Sequence, residues 1–289
     1  MEAPLIVITG PTASGKSGLA VDLAEEFGGE IICADSRTIY KGMDIGTAKP
    51  SVQDRARVPH WGLDLVKPNK KYTAADFQKY ANKKIADIHR RGKIPFLVGG
   101  TGLYIDGVIL EYQFGPKQPK LRKKLEKLTL EQLQDYGIKN NVKLPENAQN
   151  KRYVIRAIEQ KSINNKGLLH PQPNIYVVGI TTPKEVLHKR IHERSEQLFE
   201  AGVVDEAKAL GKKYGWNSEA MTGNIYRLVK QYMDGELTEA ELRERFEISD
   251  RQLAKKQLTW LKRRPFITWK TLPQARTYIA QILAECVQS

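Results

Sequence analysis

The chain has 289 residues, carries 47 Lys+Arg against 33 Asp+Glu for a formal charge of +14, and is 40 % hydrophobic. That length suits about two domains, and unremarkable glycine (22) and proline (14) counts exclude collagen-like, mucin-like and wholly disordered classes. No run approaches the about 18 apolar residues of a membrane span, Glu2 and the lack of a basic leader argue against a secretory signal, and Cys33 and Cys286 suffice for neither a disulfide framework nor a zinc site.

The expected setting is therefore cytoplasmic, without a membrane. The positive surplus points either to a polyanionic partner, nucleic acid before an acidic membrane surface, or to no more than a basic proteome or a solubility surplus. In chain order, residues 5–8 are a short continuous apolar run, the pattern of a buried parallel strand. Residues 10–17 read as a loop, and 17–27 put Leu19, Ala20, Leu23 and Ala24 on one helical face. A second apolar run, 31–34, stops at Asp35. Residues 74–91 form an amphipathic helix stopped by Gly92, and 94–98 a third strand ending in Gly99-Gly100-Thr101-Gly102. From Pro116 to about Lys166 nothing resembles a strand. Residues 116–119 read as a loop, 121–128 and 130–136 as helices with a basic run (Lys120, Arg122, Lys123, Lys124, Lys127), and 152–160 as another helix. Strand character returns at 175–180. Helices then follow over 184–201, 203–214, 224–234, 238–246 and 251–262, with Thr238-x-x-Glu241 a capping box. Strands alternating with helices predict an α/β fold, a P-loop NTPase-like parallel sheet flanked by helices. It is interrupted by a small all-helical insertion: a core of 1–114 and 174–289, and an insertion of 115–173.

Gly10-Pro11-Thr12-Ala13-Ser14-Gly15-Lys16-Ser17 fits G-x-x-x-x-G-K-[ST] between a strand and a helix. Such a loop curls backbone N–H groups around an anion at a helix N-terminus. Lys16 supplies a point charge and Ser17 a hydroxyl for Mg²⁺. The loop specifies a diphosphate or triphosphate, not whether a P–O bond breaks. A phosphate-hydrolysing enzyme usually adds a second acid at a strand end, yet the later strands run into Gly99 and Gly179. Asp35, just past a strand's C-terminal end where open α/β sheets place ligands, is the candidate general base. The same position suits an Asx turn or a helix cap. Arg190 and Arg194 share one helix face at i, i+4 spacing, as diphosphate ligands or as a solvated basic face. Arg251, Lys255, Lys256, Lys262, Arg263, Arg264 and Lys270 form an acid-free stretch interleaved with Trp260 and Trp269. The aromatics suit base stacking or, with Leu253, Leu258 and Leu261, packing on the core.

Together these residues resemble the tRNA dimethylallyltransferase family, also called tRNA isopentenyltransferases. The likeness rests on the phosphate loop, Asp35-Ser36, the long run Ile39-Tyr-Lys-Gly-Met-Asp-Ile-Gly-Thr-Ala-Lys-Pro50, Pro95-Phe-Leu-Val-Gly-Gly-Thr-Gly-Leu-Tyr104, Arg190-Ile191-x-x-Arg194, and Arg251-Gln-Leu-Ala-Lys-Lys-Gln-Leu-Thr-Trp-Leu261. It covers nearly the whole chain, and the run to Pro50 is very specific. The resemblance implies transfer of a dimethylallyl group from dimethylallyl diphosphate to N6 of the adenosine 3′ of the anticodon, with Mg²⁺. It implies Asp35 as the base, Thr101 as a contact to the target nucleotide, and Arg194 closing over the diphosphate. It implies tRNA contacts from Asp35, Ser36, Arg37 and Thr38, from Lys151, Arg152, Tyr153, Val154 and Ile155, and from the basic stretch at Arg251, Lys255 and Lys256. A monomer bound to the anticodon stem-loop is expected.

The chain departs from the family pattern at five places. Thr38 stands where Gln is frequent, Ile225 for a usual Gly, Leu228 for Glu or Gln, Asp250 for a common Thr, and residues 162–166 for Thr-Gly-Lys. Three other readings share parts of this evidence: the same transfer to free adenine nucleotides, a P-loop kinase, and a non-catalytic RNA-binding protein. The basic insertion and C-terminal stretch favour tRNA over a free nucleotide. The missing second acid counts against a kinase. The presence of Lys16, Ser17 and Asp35 counts against a degenerate site.

Overall fold

The computed structural model describes residues 3–115, 118–160 and 167–288. Pro116 and Lys117 of the expected loop, and residues 162–166, lie outside the described residues. The chain divides into two compact units, Met1–Ile109 with His170–Ser289, and Leu110–Leu169. These breaks fall four to five residues before the expected 114/115 and 173/174.

The first unit opens with β1 (Leu5–Thr9), all five residues buried, and α1 (Lys16–Glu26). β2 (Glu30–Cys33), α2 (Val52–Arg57), β3 (His60–Trp61), α3 (Ala74–Arg90), β4 (Pro95–Gly99) and α4 (Gly102–Ile109) follow. In the second unit lie α5 (Pro119–Leu125), α6 (Leu130–Lys139) and α7 (Lys151–Glu159). The first unit resumes with β5 (Ile175–Ile180), α8 (Lys184–Glu200), α9 (Val203–Tyr214), α10 (Asn224–Met233), α11 (Glu239–Leu261), β6 (Thr268–Lys270) and α12 (Leu272–Gln288). The six strands form one parallel sheet in the order β3-β2-β4-β1-β5-β6. The phosphate-loop strand β1 pairs with β4 and β5, Val7 opposite Leu97 and Val177. Central strands of such a sheet are covered on both faces, hence their unbroken apolar runs. Leu19, Leu23 and Ala24 of α1 pack on the sheet with Ala275, Ile279 and Leu283 of α12. A second core joins Ile39, Tyr40 and Met43 to α8–α11 through Phe199, Leu210, Tyr226 and Phe246.

Two expectations are corrected. Residues 238–246 and 251–262 are not two helices: α11 runs unbroken for 23 residues, capped by the Thr238–Glu241 box. Its buried stripe, Leu242, Phe246, Asp250, Ala254 and Leu261, steps by four and then seven residues, so the helical repeat never breaks. Asp250 alone makes the stripe look interrupted. Leu253, expected in the core, is exposed, and Leu258 is half-buried.

The second unit buries Leu125, Leu133, Val154, Ile155 and Ile158 together. Thr129 and Gln132 cap α6 reciprocally, and Asn150 caps α7 through the Arg152 N–H. Glu159, buried, accepts from Arg156 and faces Arg122.

Glu30 opens β2 as a buried carboxylate. It accepts from Trp61 Nε1 (2.7 Å) and Arg91 Nη2 (2.8 Å), with Lys93 Nζ at 3.3 Å. Hydrogen bonding to Arg91, foremost, pulls its pKa down to about 2. A carboxylate held below its unfolded value stabilises the fold above about pH 4.5, and that stability is lost as pH falls toward 2. With Arg91 partly solvated, the contribution is about 2–3 kcal/mol. Urea unfolding of Glu30→Gln should show that loss at pH 7 and a flatter decline below pH 4.5. Equal acid slopes in both proteins would show that another group titrates.

Candidate active site

The phosphate loop joins β1 to α1 at the C-terminal edge of the sheet. Ala13 takes φ +60° and Gly15 φ +85°, left-handed turns that alternate the backbone and bring N–H groups round to one side. Gly15 precedes α1 without a side-chain cap, so the helix's first N–H groups stay available for an anion. The loop is held from three sides. Ser14 N donates to Pro11 O within it (3.3 Å). Arg190 Nη1 donates to Ser14 O (3.3 Å). Gln257 Oε1, reaching from α11, accepts from Thr12 N (2.8 Å).

A cavity of about 490 Å³ opens over this loop. Thr12, Ala13, Gly15, Lys16 and Ser17 line it, whereas Gly10, Pro11 and Ser14 are buried. Lys16 Nζ donates to Pro11 O (3.1 Å). Burial, opposed by Asp35 and assisted by Arg194, lowers its pKa to about 8. Arg194 on α8 donates to Thr12 Oγ1 (2.5 Å) and to Asp250 Oδ2 (2.5 Å). Its Nε is buried with no partner among the described residues. Two cations thus converge on the loop, and Arg190 braces it from behind. Ser17, exposed on the first turn of α1 and lining the cavity, is a hard oxygen donor. That donor suits Mg²⁺, which keeps waters and substrate oxygens for most of its ligands.

Asp35 lies two residues beyond β2 and lines the same cavity. Its Oδ1 accepts from Arg37 N (2.7 Å). The Asx turn anticipated as the alternative is therefore present, and it aims the carboxylate rather than excluding a base role. Thr101 immediately precedes α4, and its carbonyl accepts from Tyr104 N and Ile105 N. Its Oγ1 accepts from Ser36 N (3.1 Å), which leaves the O–H proton for another acceptor. Thr38 is buried and lines the cavity, with Oγ1 unpartnered among the described residues. Arg37 reaches the carbonyls of Glu219 and Ala220. Ile225 and Tyr226 of α10 close that side.

Other expected contacts divide by exposure. Arg251, Lys255 and Lys256 are exposed on α11, Arg251 pairing with Glu247 (3.1 Å). In the second unit Arg152 and Tyr153 are exposed and Lys151 half-buried. Val154 and Ile155, expected to touch RNA, are instead in that unit's core and reach no surface. Trp260 is not a free stacking platform. Its Nε1 donates to the buried Asp106 (2.9 Å), which also accepts from Arg264 (2.6 Å). Trp269 packs against Gly179 of β5. Replacing Asp106 by Ala removes the acceptor that Trp260 Nε1 and Arg264 share, and should cost about 2–3 kcal/mol. Chemical denaturation would detect it; a change under 1 kcal/mol would show the network to be dispensable.

Gln257, Asp106 and Asp250 also build the site, and none had that role in the sequence: Asp250 showed only as a departure from Thr, Gln257 as one residue of a longer block, and Asp106 as a polar residue among apolar ones. None of the described helices is long and apolar enough to cross a membrane.

The profile of a family described as IPP transferase matches residues 38–264. A tRNA dimethylallyltransferase of Pelotomaculum thermopropionicum is 39 % identical over 305 residues, covering 99 % of this chain and 96 % of that one. One from Carboxydothermus hydrogenoformans is 38 % identical over 286 residues, covering 93 % and 92 %. Among solved structures, the full-length tRNA isopentenylpyrophosphate transferase of Bacillus halodurans aligns with a TM-score of 0.75 at 33 % identity, over 100 % of this chain and 99 % of that one. A eukaryotic dimethylallyltransferase acting on tRNA aligns with a TM-score of 0.77 at 25 % identity, over 93 % and 74 %. With a phosphate loop, a facing carboxylate and relatives matched end to end, this chain belongs to the IPP transferase family.

Proposed function

We propose that the protein transfers a dimethylallyl group from dimethylallyl diphosphate to N6 of the adenosine 3′-adjacent to the anticodon of tRNA. The observation that carries this reading is one cavity lined by the cations Lys16 and Arg194 together with Asp35 and Thr101. Such a site fits a reaction with an anionic leaving group and a weak nitrogen nucleophile.

The donor's diphosphate lies on the loop's N–H groups, between Lys16 and Arg194. These donors stabilise charge that grows as the allylic C–O bond breaks. Ser17 would hold Mg²⁺ there, where the ion would neutralise part of the leaving group's charge. The adenine N6 forms the new C–N bond, and its proton passes to Asp35. Thr101 holds the nucleotide beside Asp35 through its remaining O–H. The target base leaves the anticodon stack at a cost of a few kcal/mol, offset by contacts in the pocket. In the second unit Lys151, Arg152 and Tyr153 meet tRNA, as do Arg251, Lys255 and Lys256 of α11. The protein works as a cytoplasmic monomer.

The test incubates the protein with Mg²⁺, dimethylallyl diphosphate and an unmodified tRNA bearing three consecutive adenosines in its anticodon loop. Mass spectrometry of the nuclease digest reads N6-dimethylallyladenosine, with AMP as a parallel acceptor. Product on tRNA alone is expected. Product on AMP alone, or on neither, overturns the reading.

A further inference from the structure

The run from Ile39 to Pro50 is the most specific part of the sequence, yet it supplies no acid, base or phosphate ligand to the site. It contributes backbone and small side chains: Gly46, Thr47, Ala48 and Pro50 line the cavity. What holds it there comes from elsewhere in the chain. Glu206, in the first turn of α9, presents its carboxylate to three consecutive amides. Oε2 accepts from Asp44 N (2.8 Å) and Ile45 N (2.7 Å), and Oε1 from Gly46 N (2.9 Å). Oε1 also accepts from Tyr226 Oη (2.8 Å), itself a fully buried cavity-lining side chain. Below the same turn Lys49 Nζ, almost wholly buried, binds Tyr40 O (3.0 Å), Asp44 (2.5 Å) and Asp64 (2.8 Å).

Three amides in a row turned onto one anion form a nest, and bonds to an ionised acceptor are about twice as strong as neutral ones. The nest also fixes Gly46 so close to α10 that a Cβ there would lie 2.7 Å from Tyr226 Oη and 2.9 Å from Ile225. One carboxylate therefore clamps two walls of the cavity, the 44–48 turn and the Ile225–Tyr226 face. Neither wall belongs to the phosphate loop. Once a diphosphate fills the Lys16 and Arg194 side, these walls and Arg37–Thr38 bound the space left for the acceptor.

We infer that Glu206 is a positioning residue that fixes the acceptor wall of the cavity by anchoring residues 44–46 against Tyr226, so that it sets affinity for the nucleotide acceptor and not for the diphosphate donor. This rests on the proposed transfer to tRNA. In Glu206→Gln an amide N–H₂ replaces one acceptor oxygen and faces N–H groups it cannot accept from. Steady-state prenylation should show the apparent KM for tRNA rising about tenfold. The Kd for dimethylallyl diphosphate, by calorimetry without tRNA, should stay within twofold. Hydrogen exchange at the amides of Asp44, Ile45 and Gly46 should accelerate. Glu206→Asp keeps the charge one methylene short and should fall between wild type and Gln in all acceptor readouts; it decides the matter if the Gln variant does not fold. An unchanged tRNA KM with accelerated exchange would overturn the inference, as would parallel losses of donor and acceptor binding. Wild type failing to prenylate tRNA would sink the functional reading instead, so the two failures are distinguishable.

Discussion

Replacing Asp35 by asparagine should lower kcat about 10³-fold while leaving donor and tRNA affinity near wild type. Asparagine is the informative substitution because its Oδ1 can still accept from Arg37 N, the bond that Asp35 makes at 2.7 Å. The turn survives and only the proton acceptor is lost. General-base assistance of this kind is worth about 10²–10⁴ in rate. Single-turnover kinetics with saturating dimethylallyl diphosphate, and filter binding of tRNA, would separate the two quantities. A kcat within threefold of wild type would mean that Asp35 only shapes its turn.

Removing Lys16 should have the second largest effect, and on binding. Lys16→Ala deletes a charged donor to the diphosphate, worth about 1.5–3 kcal/mol, so the donor's Kd should rise about 100-fold at pH 7. Burial holds the Lys16 ammonium at about 8 in the free protein, below its ordinary 10.5. An anion prefers the charged lysine. Donor affinity should therefore be level below about pH 7.5 and weaken about tenfold from pH 7 to pH 9, until the pKa of the bound state is passed. The Ala variant should lack that step. Calorimetric titration at both pH values reads both effects, and a wild-type affinity flat to pH 9 would show that Lys16 stays charged throughout.

The groups tested by these two variants were legible because each sits in a local pattern. The phosphate loop is eight consecutive residues, and Asp35 ends an apolar run. The groups that support them were not legible, because their partners are remote in sequence. Gln257 reaches a loop 245 residues away, Trp260 an acid 154 residues away, and Glu206 amides 160 to 162 residues away. No periodicity encodes such a pairing. The two strands that escaped did so for another reason: β3 has two residues and β6 three, too few for alternation to register. The division of α11 into two helices had a third cause, since a buried Asp250 reads as a break until Arg194 is seen beside it.

The course of α11 has one more consequence. Along its length Asp250 meets Arg194, Gln257 meets the phosphate loop, and Trp260 meets Asp106, just ahead of Arg264 on the same carboxylate. A helix turns about 100° per residue, so Asp250 and Gln257, seven residues apart, share one rotational phase, and Trp260 lies about 60° round from Gln257. Exchanging a side chain there severs a single tie. Inserting or deleting one residue between Asp250 and Gln257 swings every later tie a quarter turn off its partner. In lineages descended from such a chain, that segment should drift in composition yet keep its residue count.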